Sequence, residues 1–234
     1  MLNITVSDTN GAIMSHTAFP KTEERLRTLI KVIDTDRLRK GGVLACSFTT
    51  EKCFGMCCSL KVAVTAEEAE ILTRLACDHS SELYRLGCEI KGNVITIDRP
   101  TGRHRLLHRR RTFNEVNKIV FEMITRKGST AKLNIRRLQK TMHACVFLLK
   151  DGACALQRLA EQFGRHKWYY KPINCWKYPL SIKNGTLTVP STFKNNIFPC
   201  YRHDTTPCYE ALREELSFLG TMIGRDIVSE IKKK

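Results

Sequence analysis

Three thiols within six residues, Cys53-Phe-Gly-Met-Cys57-Cys58, constrain this chain more than any other feature. Cys145, Cys154, Cys175, Cys200 and Cys208 repeat the signal from distant stretches. Thiols gathered from separate parts of a chain either pair as disulfides in an oxidising compartment or hold a soft metal in a reducing one. Two observations favour the metal. Residues Met1 to Thr17 carry no basic start followed by an apolar stretch, so the expected compartment is the cytoplasm, where thiols stay reduced. Eleven cysteines are an odd number, which suits a fully paired disulfide scaffold badly.

The spacing supports ligation. Cys53 and Cys57 enclose Phe-Gly-Met, within the range of a metal knuckle, and Gly55 permits the tight turn. Cys57 and Cys58 are adjacent, and adjacent side chains of extended backbone point to opposite sides. They therefore suit two metals, or a cluster that one of them bridges. The clustered set is Cys53, Cys57, Cys58, Cys145, Cys154, Cys175, Cys200 and Cys208, with Cys46 as a further candidate. Eight thiolates would fill two four-ligand sites or serve one polynuclear iron–sulfur centre. Cys77 and Cys88 lie outside the clusters and read as packing residues.

Around the thiols, the pattern predicts an α+β fold in one domain over 1–234, with a basic insertion at about 99–140. Pro20 opens a helical unit through Ile33, ended by Gly41-Gly42. Leu60 to Val64 alternates like a short strand, and Thr65-Ala-Glu-Glu68 is a capping box before a helix to about Cys77. Residues 88–98 read as a hairpin about Gly92-Asn93, and 182–189 as a hairpin about Asn184-Gly185. Helical periodicity returns over 113–125, and 133–142 reads as a further short element. A third hairpin turns at Asp151-Gly152 with Cys145 and Cys154 on its two sides, and a helix follows to Gly164. The last segment, after Thr206-Pro207, reads as one long helix presenting Leu212, Leu216, Leu219, Ile223, Ile227 and Ile231 on one face.

Cys46…Cys53-x3-Cys57-Cys58, followed by a short strand and Val-Thr-x-Glu-Glu, resembles the YkgJ-like cysteine-cluster family of zinc- or iron-chelating (CxxCxxCC) proteins. So do Cys145-Val-Phe-Leu-Leu-x-Asp-Gly-x-Cys154-Ala-Leu and Lys171-Pro-Ile-x-Cys175-x-x-Tyr-Pro179-Leu. The likeness covers residues 46–75 and 143–182 well and the stretch from Cys200 loosely. It implies bound zinc or iron, or an iron–sulfur cluster. The wider family includes a flagellin lysine methylase, which implies an iron–sulfur-dependent protein lysine methyltransferase as an alternative activity. No Gly-x-Gly occurs in the chain, so an ordinary Rossmann methyltransferase is not expected.

The formal net charge of +16 points to an acidic partner, a nucleic acid or an acidic protein. Between Arg99 and Lys140 thirteen Lys and Arg stand against Glu115 and Glu122, so the excess is concentrated there. Arg103, Arg105, Arg109, Arg110 and Arg111 are the candidate phosphate contacts of a metal-stabilised nucleic-acid-binding protein. The bland reading of the same residues is a solvated basic face, or an arm docked on the protein's own carboxylates. His143 and His203 stand near Cys145 and Cys200 as candidate ligands or outer donors. No long uncharged apolar run is present, so no membrane span is expected. The sequence has no His-Glu-x-x-His, Gly-x-Ser-x-Gly or P-loop, so hydrolase and nucleotide-triphosphatase chemistry have no support.

Overall fold

The structure, a computed structural model, describes residues 15–41, 58, 62–112, 114–116, 142–189 and 206–233. Helix α1 (Pro20–Leu29) carries proline in its first turn, where the missing N–H has no intrahelical partner to lose. The helix stops short of Ile33. The N–H groups of Lys31 and Val32 donate instead to the Gly185 carbonyl at 2.8 and 3.1 Å, and β1 (Val32–Ile33) follows. Helix α2 (Thr35–Arg39) is capped by Asp34, whose Oδ1 accepts the Arg37 N–H at 3.1 Å. Strand β1 lies parallel to a strand near residue 187, in a sheet built on the hairpin about Asn184-Gly185. That hairpin pairs Ser181–Lys183 with Thr186–Thr188. Asn184 and Gly185 both have positive φ, 49° and 79°, as a two-residue primed turn requires.

Helix α3 (Ala66–Asp78) begins with the expected capping box. Thr65 Oγ1 accepts the Glu68 N–H at 3.1 Å, and Glu68 Oε2 accepts the Thr65 N–H at 2.8 Å. Helix α4 (Ser80–Arg85) continues from it. The next hairpin differs from the sequence expectation. Strand β2 (Ile95–Asp98) pairs antiparallel with β3 (Arg103–Leu106), so the turn is at 99–102 and not at Gly92-Asn93. Gly102, at φ 63°, closes that turn, and the Asp98–Arg105 ion pair at 2.9 Å locks the register across it. Strand β4 (His108–Arg110) then pairs antiparallel with β5 (His143–Cys145).

Helix α5 (Ala155–Gln162) ends before Gly164, whose φ is 63°. A single helical turn, α6 (Ile173–Trp176), precedes β6 (Ser181–Lys183) and β7 (Thr186–Thr188). The single long C-terminal helix of the sequence reading is three pieces: α7 (Cys208–Ala211), α8 (Arg213–Ile223) and α9 (Ile227–Lys233). Gly224 takes the left-handed conformation at φ 71°, and the Arg225 N–H returns to the Gly220 carbonyl at 2.9 Å. A Cβ on Gly220 would stand 2.4 Å from the Arg225 oxygen, so only glycine allows this reversal. The turn preserves the apolar stripe: Leu212, Leu216, Leu219, Ile227 and Ile231 are all buried.

The architecture is α+β with two apolar cores. One gathers Phe19, Leu72, Leu83, Phe147, Leu156 and Leu159 between α3, α4 and α5. The other gathers Leu38, Trp168, Trp176, Leu187 and the α7–α9 stripe. One buried carboxylate joins segments that meet at both. Glu68, fully buried, uses Oε2 for its own cap and Oε1 for the Ile173 N–H at 2.7 Å, 105 residues along the chain. The Asn174 Nδ2 donates to the Ala63 carbonyl at 2.9 Å beside it. Of the expected 60–64 strand, the described residues form only a bridge of Ala63 to Arg105, and residues 60 and 61 lie outside them. The elements expected over 113–125 and 133–142 lie largely outside the described residues.

Two outcomes follow from these buried carboxylates. Glu68→Ala leaves the Thr65 and Ile173 N–H groups without their acceptor, and it is expected to lose about 2–5 kcal/mol in denaturant unfolding. Glu68→Gln, which keeps one oxygen, loses less. Glu215 is the second case. It is 3% exposed, its Oε2 has no partner, and burial pushes its carboxyl up to about 7 against the opposing charges of Lys167 and Lys171. Between the ordinary glutamate value of 4.5 and about 7 the folded state holds a proton that the unfolded chain has lost. Stability therefore falls as pH rises through that window, by up to about 3 kcal/mol, and Glu215→Gln flattens the fall in thermal melts across pH 4 to 8.

Candidate metal centre

Four of the expected thiols line one cavity. Cys58, Cys145, Cys154 and Cys175 surround a void of about 50 Å³, with Val62, Leu106, Phe147, Leu148 and Leu156 as its apolar wall. Lys171, Pro172, Asn174 and Tyr178 complete the lining. Each thiol arrives by a different route. Cys145 ends β5, in register with His108 of β4. Cys154 is the residue before α5 and bridges back to Leu148, across a turn in which Gly152 has φ 90° and Asp151 Oδ1 accepts the Ala153 N–H at 2.9 Å. This is the expected hairpin about Asp151-Gly152, shortened to a bridge because 146–149 turn inward and bury Phe147 completely.

Cys175 lies in α6, after Pro172. Its turn is strapped to the 63–68 segment by the Glu68 and Asn174 hydrogen bonds. Cys58 lines the cavity together with Val62, which precedes that segment. There the Leu106 N–H donates to the Val62 carbonyl at 3.2 Å and the Val64 N–H to the His104 carbonyl at 3.0 Å.

The electrostatics of the site follow from crowding thiols away from water. Burial pushes the Cys145 thiol well above its ordinary value, and Cys175, Cys154 and Cys88 push it further. Burial raises Cys88 to about 12, with Cys154 adding to the effect and Arg109 opposing it. Each thiolate thus discourages the next, and a cation among them would reverse that penalty. Lys177 is lowered by burial, while Glu68 and Cys175 favour its charged form, so its ammonium is felt by both the strap and the site.

The donor chemistry fits a thiophilic ion: four sulfurs, a shielded apolar wall, and no disulfide among the seven described cysteines. The spacing is looser than ligation. Among the described residues no three His, Cys, Asp or Glu side chains stand close enough to hold an ion as placed. The sulfurs ring a void and do not meet at a point.

Of the other expected ligands, Cys53, Cys57 and Cys200 lie outside the described residues, as does His203. Cys208 does not join the cavity. Its N–H donates to the Lys40 carbonyl at 3.0 Å, which ties α7 to α2 and sends the side chain, fully buried, into the second core. His143 is exposed on β5. Cys77 is exposed on α3, and Cys88, read from sequence as packing, is a buried neighbour of Cys145 and Cys154. Cys88 follows Gly87 in an irregular stretch with no second cysteine near it, so no spacing signals it.

Most of the described candidate phosphate-binding arginines are engaged within the protein. Arg105 pairs with Asp98 at 2.9 Å. Arg109 makes a bidentate pair with Glu115 at 3.0 and 2.6 Å and reaches the Leu148 carbonyl at 3.2 Å. Burial opposes ionisation of Glu115, but the bonds from Arg109 and Thr112 outweigh it and hold the carboxyl down at about 2. Arg111 is 5% exposed, whereas Arg103 and Arg110 face solvent. Among the described residues no helix is long and apolar enough to cross a membrane.

Compared with known proteins, the chain matches no family model, no curated protein and no solved structure.

Proposed function

We propose that this protein binds a thiophilic metal, zinc or iron, through Cys58, Cys145, Cys154 and Cys175, with iron held either as an ion or as an iron–sulfur cluster. The observation that supports the reading is the convergence of these four thiols, from four separate chain segments, on one shielded cavity. Cys53 and Cys57 belong to the proposed set through their nearness to Cys58 in the chain. The resemblance of both cysteine blocks to the YkgJ-like family points the same way.

The role assigned to the metal is structural. Bound zinc supplies a cross-link without redox chemistry, and an iron–sulfur cluster adds one-electron transfer. The chain's own residues prepare the place. The Glu68 strap fixes the Cys175 turn, Arg109 fixes Leu148 beside Cys154, and the β4–β5 pairing fixes Cys145. A ligand set drawn from distant segments stabilises the fold only when filled, because the unfolded chain has no such site.

Cys145→Ser and Cys175→Ser are expected to lose most of the metal found in the purified protein. They are also expected to lower Tm by on the order of 10 °C, since several kcal/mol are lost at roughly 2–4 °C each. Cys77→Ser, at an exposed thiol of α3, changes neither. Elemental analysis with an inorganic-sulfide assay reads the result and separates zinc from an iron–sulfur cluster. Undiminished metal in both cavity variants overturns the proposal.

A further inference from the structure

The β2–β3 hairpin is covered along β3 and open along β2. Beyond β3 runs the 62–64 segment, where the Leu106 N–H donates to the Val62 carbonyl at 3.2 Å and the Val64 N–H to the His104 carbonyl at 3.0 Å. His104 and Leu106 thus direct their backbone groups away from β2, and Arg103 and Arg105, which alternate with them, direct theirs toward it. The Leu107 N–H keeps the same phase and donates to the Val94 carbonyl at 2.8 Å. Thr96 stands opposite Arg105 and Asp98 opposite Arg103, so Thr96 and Asp98 turn their backbone groups to β3. The N–H and C=O of Ile95 and Ile97 point outward, and among the described residues no backbone group meets them. Strand edges in proteins are commonly blunted by Lys, Pro or a bulge. Strand β2 reads Ile-Thr-Ile-Asp, and its one charge is matched by Arg105 at 2.9 Å. Ile95 and Ile97 share a face with Leu106. Leu106 lies in the first core and Ile95 packs against it, while Ile97, 59% exposed, carries the stripe out into solvent. Arg99 and Arg103, both exposed, stand at the turn end of the strand.

We propose that the free edge of β2 binds an extended acidic segment of another protein, which adds to the hairpin as a further strand. The inference is independent of the metal-binding reading. The outward N–H and C=O groups of Ile95 and Ile97 supply the ladder, and Ile97 offers an apolar contact to every second side chain of the segment. Side chains on the opposite face lie beside Thr96 and toward Arg103, with Arg99 at the strand end. That arrangement selects carboxylates. A phosphate chain offers acceptors and leaves the outward carbonyls unmet, so the edge suits a polypeptide better than a nucleic acid. A second copy of this chain would bring another net charge of +16, with its own Arg99 and Arg103, to the same edge. An acidic partner meets the ladder and the charge together.

The test titrates the full-length protein into a fluorescein-labelled peptide of alternating Glu and Val, followed by fluorescence anisotropy. Saturable binding that weakens with added salt is expected. The same peptide N-methylated throughout keeps its charge and loses its donors, and it is expected to bind on the order of tenfold more weakly or worse. Ile97→Pro removes an N–H that makes no bond to β3, and it is expected to weaken the parent peptide by on the order of tenfold. Arg99→Glu combined with Arg103→Glu is expected to weaken binding and flatten its salt dependence. Equal affinity for the two peptides overturns the inference, because the contact is then charge alone, and so does the absence of saturable binding. A labelled single-stranded oligonucleotide that binds more tightly and displaces the peptide overturns it in favour of a nucleic acid. A concentration-dependent dimer in sedimentation, lost in Ile97→Pro, overturns it in favour of a second copy. Should Ile97→Pro fail to fold, the comparison of the two peptides on the parent protein decides.

Discussion

The Glu68 carboxylate holds the arrangement together. One oxygen completes the capping box of α3, and the other accepts the Ile173 N–H from a turn 105 residues away. A fully buried carboxylate is costly to place, and burial does push its carboxyl upward. Its hydrogen bonds to Thr65 and Ile173 offset that cost, and the charge of Lys177 lies within its reach. The result is a fixed join between the 62–68 segment and the 172–176 turn. Cys175 lies in the second and lines the same cavity as Cys58.

Local chemistry was legible in the sequence wherever a few adjacent residues determine the backbone. The capping box at Thr65–Glu68, the primed turn at Asn184-Gly185 and the proline start of α1 all stand as the residues dictate. The reading failed where two local signals compete. Gly92-Asn93 and Pro100-Thr-Gly102 both offer a turn, and the Asp98–Arg105 pair, a contact between strands, decides for the second. The C-terminal stripe is periodic enough to suggest one helix, because α8 and α9 keep the same apolar face on either side of the Gly224 reversal. Of the site, the cysteine spacing pointed to eight metal-ligating thiols, of which four, Cys58, Cys145, Cys154 and Cys175, line one cavity. It could not separate Cys208, whose surroundings are set by the Lys40 hydrogen bond, while Cys88, read as packing, is buried in the first core.

Part of the charge of the basic segment is met inside the protein. Arg105 and Arg109 are tied to Asp98 and Glu115, and Arg111 is nearly buried. Arg109 is the most consequential of them. Its guanidinium is aligned by two bonds to Glu115, supports the Leu148 carbonyl in the cavity wall, and favours the thiolate form of Cys88. A cation fixed at the edge of a group of thiols moderates the negative charge that a filled thiolate site carries. At Arg109 the run supports the wall of the thiol cavity through the Leu148 carbonyl.

The stretch from Trp168 to Leu180 threads between the two cores. Trp168, Ile173, Trp176 and Leu180 face the second core, where Trp168 and Trp176 stack at 5.3 Å and Phe218 of α8 closes edge-on against both. Tyr170 and Cys175 face the first. Cys175 and Trp176 are therefore neighbours in the chain that anchor opposite sides of one thin segment. An ion drawn to Cys175 from the cavity side would restrain the α6 turn, and the restraint would be felt through Trp176 by the helices α8 and α9. Interiors packed at crystal-like density transmit such shifts and do not absorb them. On this geometry the thiol cavity and the C-terminal helices are two faces of one structural unit, coupled through a single turn of helix.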